Sequence, residues 1–148
     1  MRLVVQRVEK AKVISEESGK ILGEIGIGLL VLVGIKKGDS EKEVEILTQK
    51  LSKLRVMNDK AGKMNLSVSD VGGSMLVVSQ FTLHADTSGG NRPSFINAEE
   101  PEKAKKLYEL FIEKLKENGV AVETGSFGNY MKIEAVLNGP VTILYNDF

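Results

Sequence analysis

Hydrophobic residues in this chain recur with the two-residue period of strands, then the helical period, then strands again. Residues 2–8 alternate, with Leu3, Val5 and Arg7 on one face and Val4, Gln6 and Val8 on the other. This first strand continues raggedly through Val13 and Ile14, "SEESGK" supplies turn chemistry, and "ILGEIG" returns as its hairpin partner. "LLVLVGI" (29–35) is continuously apolar, as a strand buried on both faces would be. The period then becomes helical, with Val44, Leu47, Leu51 and Leu54 on one stripe. Ser40, three residues before Glu43, matches a capping box and predicts the helix start. A short strand around Arg55–Met57, a polar loop "NDKAGKMN", a turn "SDVGGS" and a buried strand "MLVVSQFTL" follow. "HADTSGGNRPSF" reads as a long loop. Pro101 opens a second helix, Ala104, Leu107, Tyr108, Phe111 and Leu115 form its stripe, and Asn118-Gly119 stops it. The last strands are "VAVET", "YMKIEAVL" and "VTILY", with Asn138-Gly139-Pro140 as a hairpin turn between the final two. Seven or eight strands and two helices predict a single α/β domain over residues 1–148, with a mixed sheet and both helices on one side.

Composition narrows the chemistry. The chain has no cysteine, which excludes disulfides, thiolate zinc sites and a cysteine nucleophile together. One histidine, His84, excludes a His-rich metal site, and no metal or cofactor is expected. Lys plus Arg and Asp plus Glu each total 20, so a net charge of zero gives nucleic-acid binding no global support and would require a local basic patch. The longest apolar run, "IGIGLLVLVGI", is too short to cross a bilayer, and the N-terminus is interrupted by Arg and Lys. No membrane association and a cytoplasmic location are expected.

Common catalytic constellations are missing. A Ser–His–Asp triad would need His84 with Ser79, and residues five apart on a strand face opposite ways. "GEIGIG" has the wrong spacing for a dinucleotide fingerprint and precedes a strand. Three stretches remain. Ser79, Gln80 and Thr82 beside Phe81 are either satisfied core groups or the lip of a pocket with an aromatic wall. Arg92 in "GGNRPSF" is either a loop residue or an anion contact. Gly139-Pro140 is a turn, a place for a cis X-Pro bond, or both.

"SQFTL" (79–83), "NRPSF" (91–95), "GPVT" (139–142), the opening "MRLVVQRV" and "GKMNLSVSDVGG" together resemble the D-aminoacyl-tRNA deacylase family, in family order from residue 1 to about residue 145. Leu137 stands where the family's Asn-x-Gly-Pro usually has asparagine, and His84 follows "SQFTL" where the family usually has another residue. The resemblance implies a barrel-like fold and a homodimer with active sites at the subunit interface. It implies hydrolysis of the ester of D-aminoacyl-tRNA and of glycine mischarged on tRNA. It assigns Ser79, Gln80 and the Phe81 backbone to positioning and polarising the ester, and Thr142 to the same site as a hydrogen-bonding residue. Thr82, Arg92, Gly139, Pro140 and Val141 are implied as substrate-binding. The implied Gly139-cis-Pro140 unit reaches into the neighbouring subunit's pocket and fills the space an L side chain needs. Two other readings stay open: a non-catalytic RNA-binding module, which Leu137 favours, and a small-metabolite esterase.

Overall fold

The computed structural model describes residues 1–146. Its organising element is the long strand β1 (Arg2–Ser15). Along one edge β1 pairs antiparallel with β2 (Ile21–Ile25) at its C-terminal half and with β3 (Gly28–Gly34) at its N-terminal half. The final strand, β8 (Met131–Tyr145), covers the other edge, also antiparallel. Parallel pairing continues the sheet from β3 to β6 (Ser74–Ser79) and on to β7 (Ala121–Thr124). β7 then approaches β2 so closely that a Cβ on Gly23 would lie 2.6 Å from the Thr124 carbonyl oxygen. A glycine is required there, and the sheet is thereby nearly closed into a barrel.

Each parallel step needs a crossover, and each crossover carries a helix: α1 (Glu41–Ser52) after β3, and α2 (Pro101–Glu117) after β6. The strand order β3-β6-β7 advances in one direction, so right-handed crossovers place both helices on one face. Ser40 caps α1 with the predicted capping box, and Pro101 stands in the first turn of α2. Gly119, at φ 81°, closes α2 in the left-handed region that glycine favours.

Two cores result. Leu3, Val5, Val31, Val33, Met75 and Val77 meet the helix stripes, with Phe111, Leu115, Leu47 and Leu51 fully buried between. The second core, Val8, Ala11, Val13, Ile25, Leu30, Leu76 and Val78, fills the barrel. β1 serves both. Leu3 and Val5 face the helices and Val8 the barrel by simple alternation; the register of β1 against β8 then shifts across Glu9, so Ala11 and Val13 join Val8 on the barrel side.

The structure differs from the sequence expectations in three places. Strand β6 ends at Ser79, and Phe81–His84 forms a 3₁₀ turn rather than more strand. The short strand expected around Arg55–Met57 is β4 (Met57–Asn58), but the polar loop expected after it ends in a hairpin partner, β5 (Met64–Leu66). Most consequentially, "NGP" is not a hairpin turn. The segments on both sides of it pair with β1 as one strand, with Val8 opposite Leu137 and Gln6 opposite Thr142. Arg7 alone therefore faces the four residues 138–141, a bulge that pushes Gly139 and Pro140 outward. A turn signal and a bulge signal share the same glycine and proline, and pairing to β1 decides between them.

Phe111 fills the interface between α2 and the sheet. Phe111→Ala is expected to lower stability by about 3–5 kcal/mol, read as a drop in urea midpoint at unchanged slope.

Candidate functional site

The resemblance groups its site residues around two stretches, Ser79–Thr82 and Gly139–Thr142. At the C-terminal end of β6, Ser79 and Gln80 are half-buried, and the Gln80 N–H donates to the Val33 carbonyl at 2.8 Å. Sheet pairing stops there and the 3₁₀ turn begins. Neither the Phe81 N–H nor the Thr82 N–H has an acceptor among the described residues, so the turn presents two free donors. The Gln80 amide donates to the Thr82 hydroxyl. Phe81, 57% exposed, packs edge-on against Phe95 with ring centroids 5.0 Å apart, the aromatic wall that the residue types suggest.

His84 closes the turn and is buried, with Nε2 3.0 Å from the Gly34 carbonyl oxygen. It is thus a structural link between the turn and β3 rather than a loop residue. Burial holds its imidazole below the ordinary histidine value, more than the Gly34 hydrogen bond raises it, and the Arg2 charge adds to the lowering. The neutral ring donates to the carbonyl. Arg2 also donates to the Leu83 carbonyl, so β1 anchors the turn as well.

The second group lies on β8. The Gly139–Pro140 peptide bond is cis, and both residues are exposed. The bulge is held from below by Arg7, which is only 8% exposed. Its Nε donates to the Asn138 carbonyl at 3.2 Å and its Nη2 to the Asn138 Oδ1 at 3.3 Å. Nη1 donates to the Val56 carbonyl at 2.8 Å and the Asn58 Oδ1 at 2.9 Å. Five N–H donors in a rigid fork suit this arrangement of four oxygens on two elements. Asn138 thus supplies the oxygens that hold the bulge, while Leu137, 44% exposed, faces outward. Sequence reasoning missed Arg7, although the signal was there: a lone cation in phase with Leu3 and Val5 on the buried face of a strand.

The remaining residues divide. Thr142 is exposed beside Gln6, whose amide reaches its hydroxyl at 3.5 Å. Val141 packs its side chain against the helix-side core. Arg92 is exposed in the loop before the Asp86–Ser94 bridge closes, with no hydrogen bond or ion pair among the described residues.

The two stretches do not meet within one chain. Thr142 pairs with Gln6, Gln6 with Leu30 and Leu30 with Leu76, three residues short of Ser79. Along the sheet, three strand spacings and three residues of rise separate them by about 17 Å. Ser79 continues the helix-side phase of Met75 and Val77, whereas Thr142 faces opposite to Val141 and Ile143. What one chain offers is two free N–H donors beside an aromatic pair, and, elsewhere, a rigidly held glycine-proline bulge.

Residues 4–146 match the family model described as D-Tyr-tRNA(Tyr) deacylase. A D-aminoacyl-tRNA deacylase of Thermotoga petrophila is 56% identical over 144 residues, covering 97% of this chain and 95% of the relative. The D-aminoacyl-tRNA deacylase of Thermosipho melanesiensis is 53% identical over 145 residues, with the same coverage of both chains. Among solved structures, the c-Myc DNA unwinding element binding protein superposes with a TM-score of 0.91 at 38% identity, covering 99% of each chain.

Two predictions test the supports of the site. Arg7→Lys keeps the charge but loses the fork, leaving part of four buried or half-buried oxygens unserved; stability should fall by about 1–3 kcal/mol. A parent-like urea midpoint would show that water replaces the guanidinium. His84 gives a pH dependence. Its native value is lowered, so the unfolded chain binds the extra proton and its contribution is complete above pH of about 6.5. It is lost as pH falls from there toward the native value. The parent should lose stability between pH 7 and 5.5, and His84→Gln, though less stable at pH 7, should show a flatter profile.

Proposed function

Because the chain belongs to the D-Tyr-tRNA(Tyr) deacylase family, we propose a chirality-selective ester hydrolase whose working site is shared between two copies of the chain. The enzyme is a D-aminoacyl-tRNA deacylase, a hydrolase of the ester joining a D-amino acid to tRNA. The proposal concerns how it does so and what it refuses.

In the proposed reaction a water adds to the ester carbonyl carbon. The carbonyl oxygen gains negative charge and sits against the Phe81 N–H, with the adjacent Thr82 N–H as second donor. The carbon–oxygen bond to the ribose then breaks, the ribose oxygen takes the proton that the attacking water gives up, and free amino acid and tRNA leave. Ser79 and Gln80 position the ester. An aminoacyl ester is already reactive, so oriented donors and a placed water suffice without a strong nucleophile; loss of one such donor costs other enzymes about 10²–10³ in rate. Thr142 acts as a hydrogen-bonding residue. Among the described residues its hydroxyl is hydrogen-bonded by the Gln6 amide, which is no base to make it a nucleophile.

Selectivity rests on Gly139 and Pro140 reaching into the pocket of a second copy. The observation that carries this reading is the outward bulge clamped by Arg7, on a strand three places from Ser79 along the sheet of its own chain. Among the described residues β8 pairs with β1 alone, leaving a fifteen-residue strand with an open edge and with Ile133, Val136, Leu137 and Leu144 exposed. Such an edge invites a partner. Fixed backbone excludes a Cβ on the L side whatever the side chain, and glycine, having none, is accepted with the D residues. The reading places the protein in the cytoplasm, as a homodimer acting in translation quality control, with Arg92 contributing to substrate binding.

Hydrolysis of D-tyrosyl-, L-tyrosyl- and glycyl-tRNA, side by side, tests the proposal. Release of the D residue and glycine, with the L ester intact, is expected; equal release of D and L would sink the filter. Gly139→Ala sharpens the test. A Cβ there would lie 2.9 Å from the Val141 Cγ2 and 3.1 Å from Arg7 Nη2, at φ 124° where L residues are strained. The bulge must shift, so discrimination against L-tyrosyl-tRNA should fall at least tenfold while the fold persists.

A further inference from the structure

We infer that the β4–β5 hairpin and the end of α1 form the surface that grips the phosphates of the tRNA acceptor stem. This inference rests on the tRNA-ester reading above and adds the RNA contact that a net charge of zero leaves unexplained.

Between Lys53 and Asn65 the chain carries four cations, Lys53, Arg55, Lys60 and Lys63, against one carboxylate, Asp59. A segment of net charge +3 thus sits in a neutral protein. All four cations are exposed. None forms a salt bridge among the described residues, whereas Lys103, Lys105, Lys106 and Lys114 of α2 are each within 4 Å of a carboxylate. Asp59 is occupied by its own turn: Oδ1 accepts the N–H groups of Ala61 at 2.9 Å and Lys63 at 3.0 Å, and Oδ2 accepts the Asn65 amide at 3.2 Å. Asn65 in turn receives the Arg55 guanidinium. These bonds hold Arg55, Lys60 and Lys63 on one small, ordered surface.

Its position supplies the second argument. Val56 and Asn58, immediately before the turn, accept the same Arg7 guanidinium that holds Asn138 beside Gly139. The basic hairpin is therefore one side chain from the bulge and travels with it. Whichever pocket receives Gly139 and Pro140, and with them the aminoacylated 3′ end, has these cations beside it. Phosphates of the stem leading to that end are the polyanion within reach. Neutralising about three phosphates should weaken binding roughly 20- to 40-fold between 50 and 200 mM salt.

The test compares the parent with the triple variant Lys53→Gln, Lys60→Gln, Lys63→Gln on two substrates, D-tyrosyl-tRNA and D-tyrosyl-adenosine, over that salt range. On tRNA the variant should show a KM raised about tenfold or more at 100 mM salt, kcat within twofold, and a salt dependence shallower by about two phosphate contacts. On D-tyrosyl-adenosine, which lacks the stem, its kinetics should match the parent. An unchanged KM and salt slope on tRNA would overturn the inference. So would loss of binding to vesicles of anionic phospholipid with tRNA kinetics intact. Failure of the functional reading is visible separately, as a parent that hydrolyses neither substrate. Filter binding of uncharged tRNA then decides the hairpin, weaker retention by the variant supporting it and equal retention overturning it.

Discussion

The buried guanidinium of Arg7 is the interaction on which the proposed site depends. A desolvated cation must have its hydrogen bonds satisfied. Among the described residues Arg7 does this with neutral oxygens alone, two from Asn138, one from Val56 and one from Asn58. The bonds tie β1 to two pieces of chain: the β8 bulge on one side, and the β4–β5 hairpin with the residue leading into it on the other. The outward glycine-proline unit and the basic hairpin thereby become one rigid assembly, although more than 70 residues separate them in sequence.

Topology sets the other half. Parallel pairing of β3, β6 and β7 places the C-terminal end of β6 at the mouth of the sheet, where ligands of such sheets collect. There the ladder ends at Gln80 and leaves two N–H groups without partners. The same ladder, followed across β3 and β1 to β8, keeps this donor pair far from Gly139. The free donors and the glycine-proline bulge thus face different ways on one chain, which is the physical reason for proposing that the functional unit is two chains.

Much of this was legible in the sequence, and the misses share a cause. Strong periods placed both helices, the Ser40 cap, the Pro101 start and the apolar strands. The five short motifs led to the family that the comparisons then established. Local signals failed where long-range pairing decides. "NGP" carries hairpin chemistry but is a bulge, because residues on both sides of it find the same partner strand. "FTL" looks like strand, yet the sheet has no further neighbour to offer it after Val33. Arg7 was visible as an out-of-place cation, but its partners lie 49 to 131 residues away, beyond any local pattern.

The central claim is that Gly139 and Pro140 of one chain enter the Ser79–Thr82 pocket of another. The chain has no cysteine, so two single substitutions, Leu137→Cys and Thr82→Cys, introduce unique thiols at exposed positions near each half-site. A short bis-maleimide is added to a mixture of the two variants, each of which carries one thiol. A covalent dimer containing one of each is predicted, with little product from either variant alone. Only monomers, or links formed equally within each variant alone, would contradict the shared site.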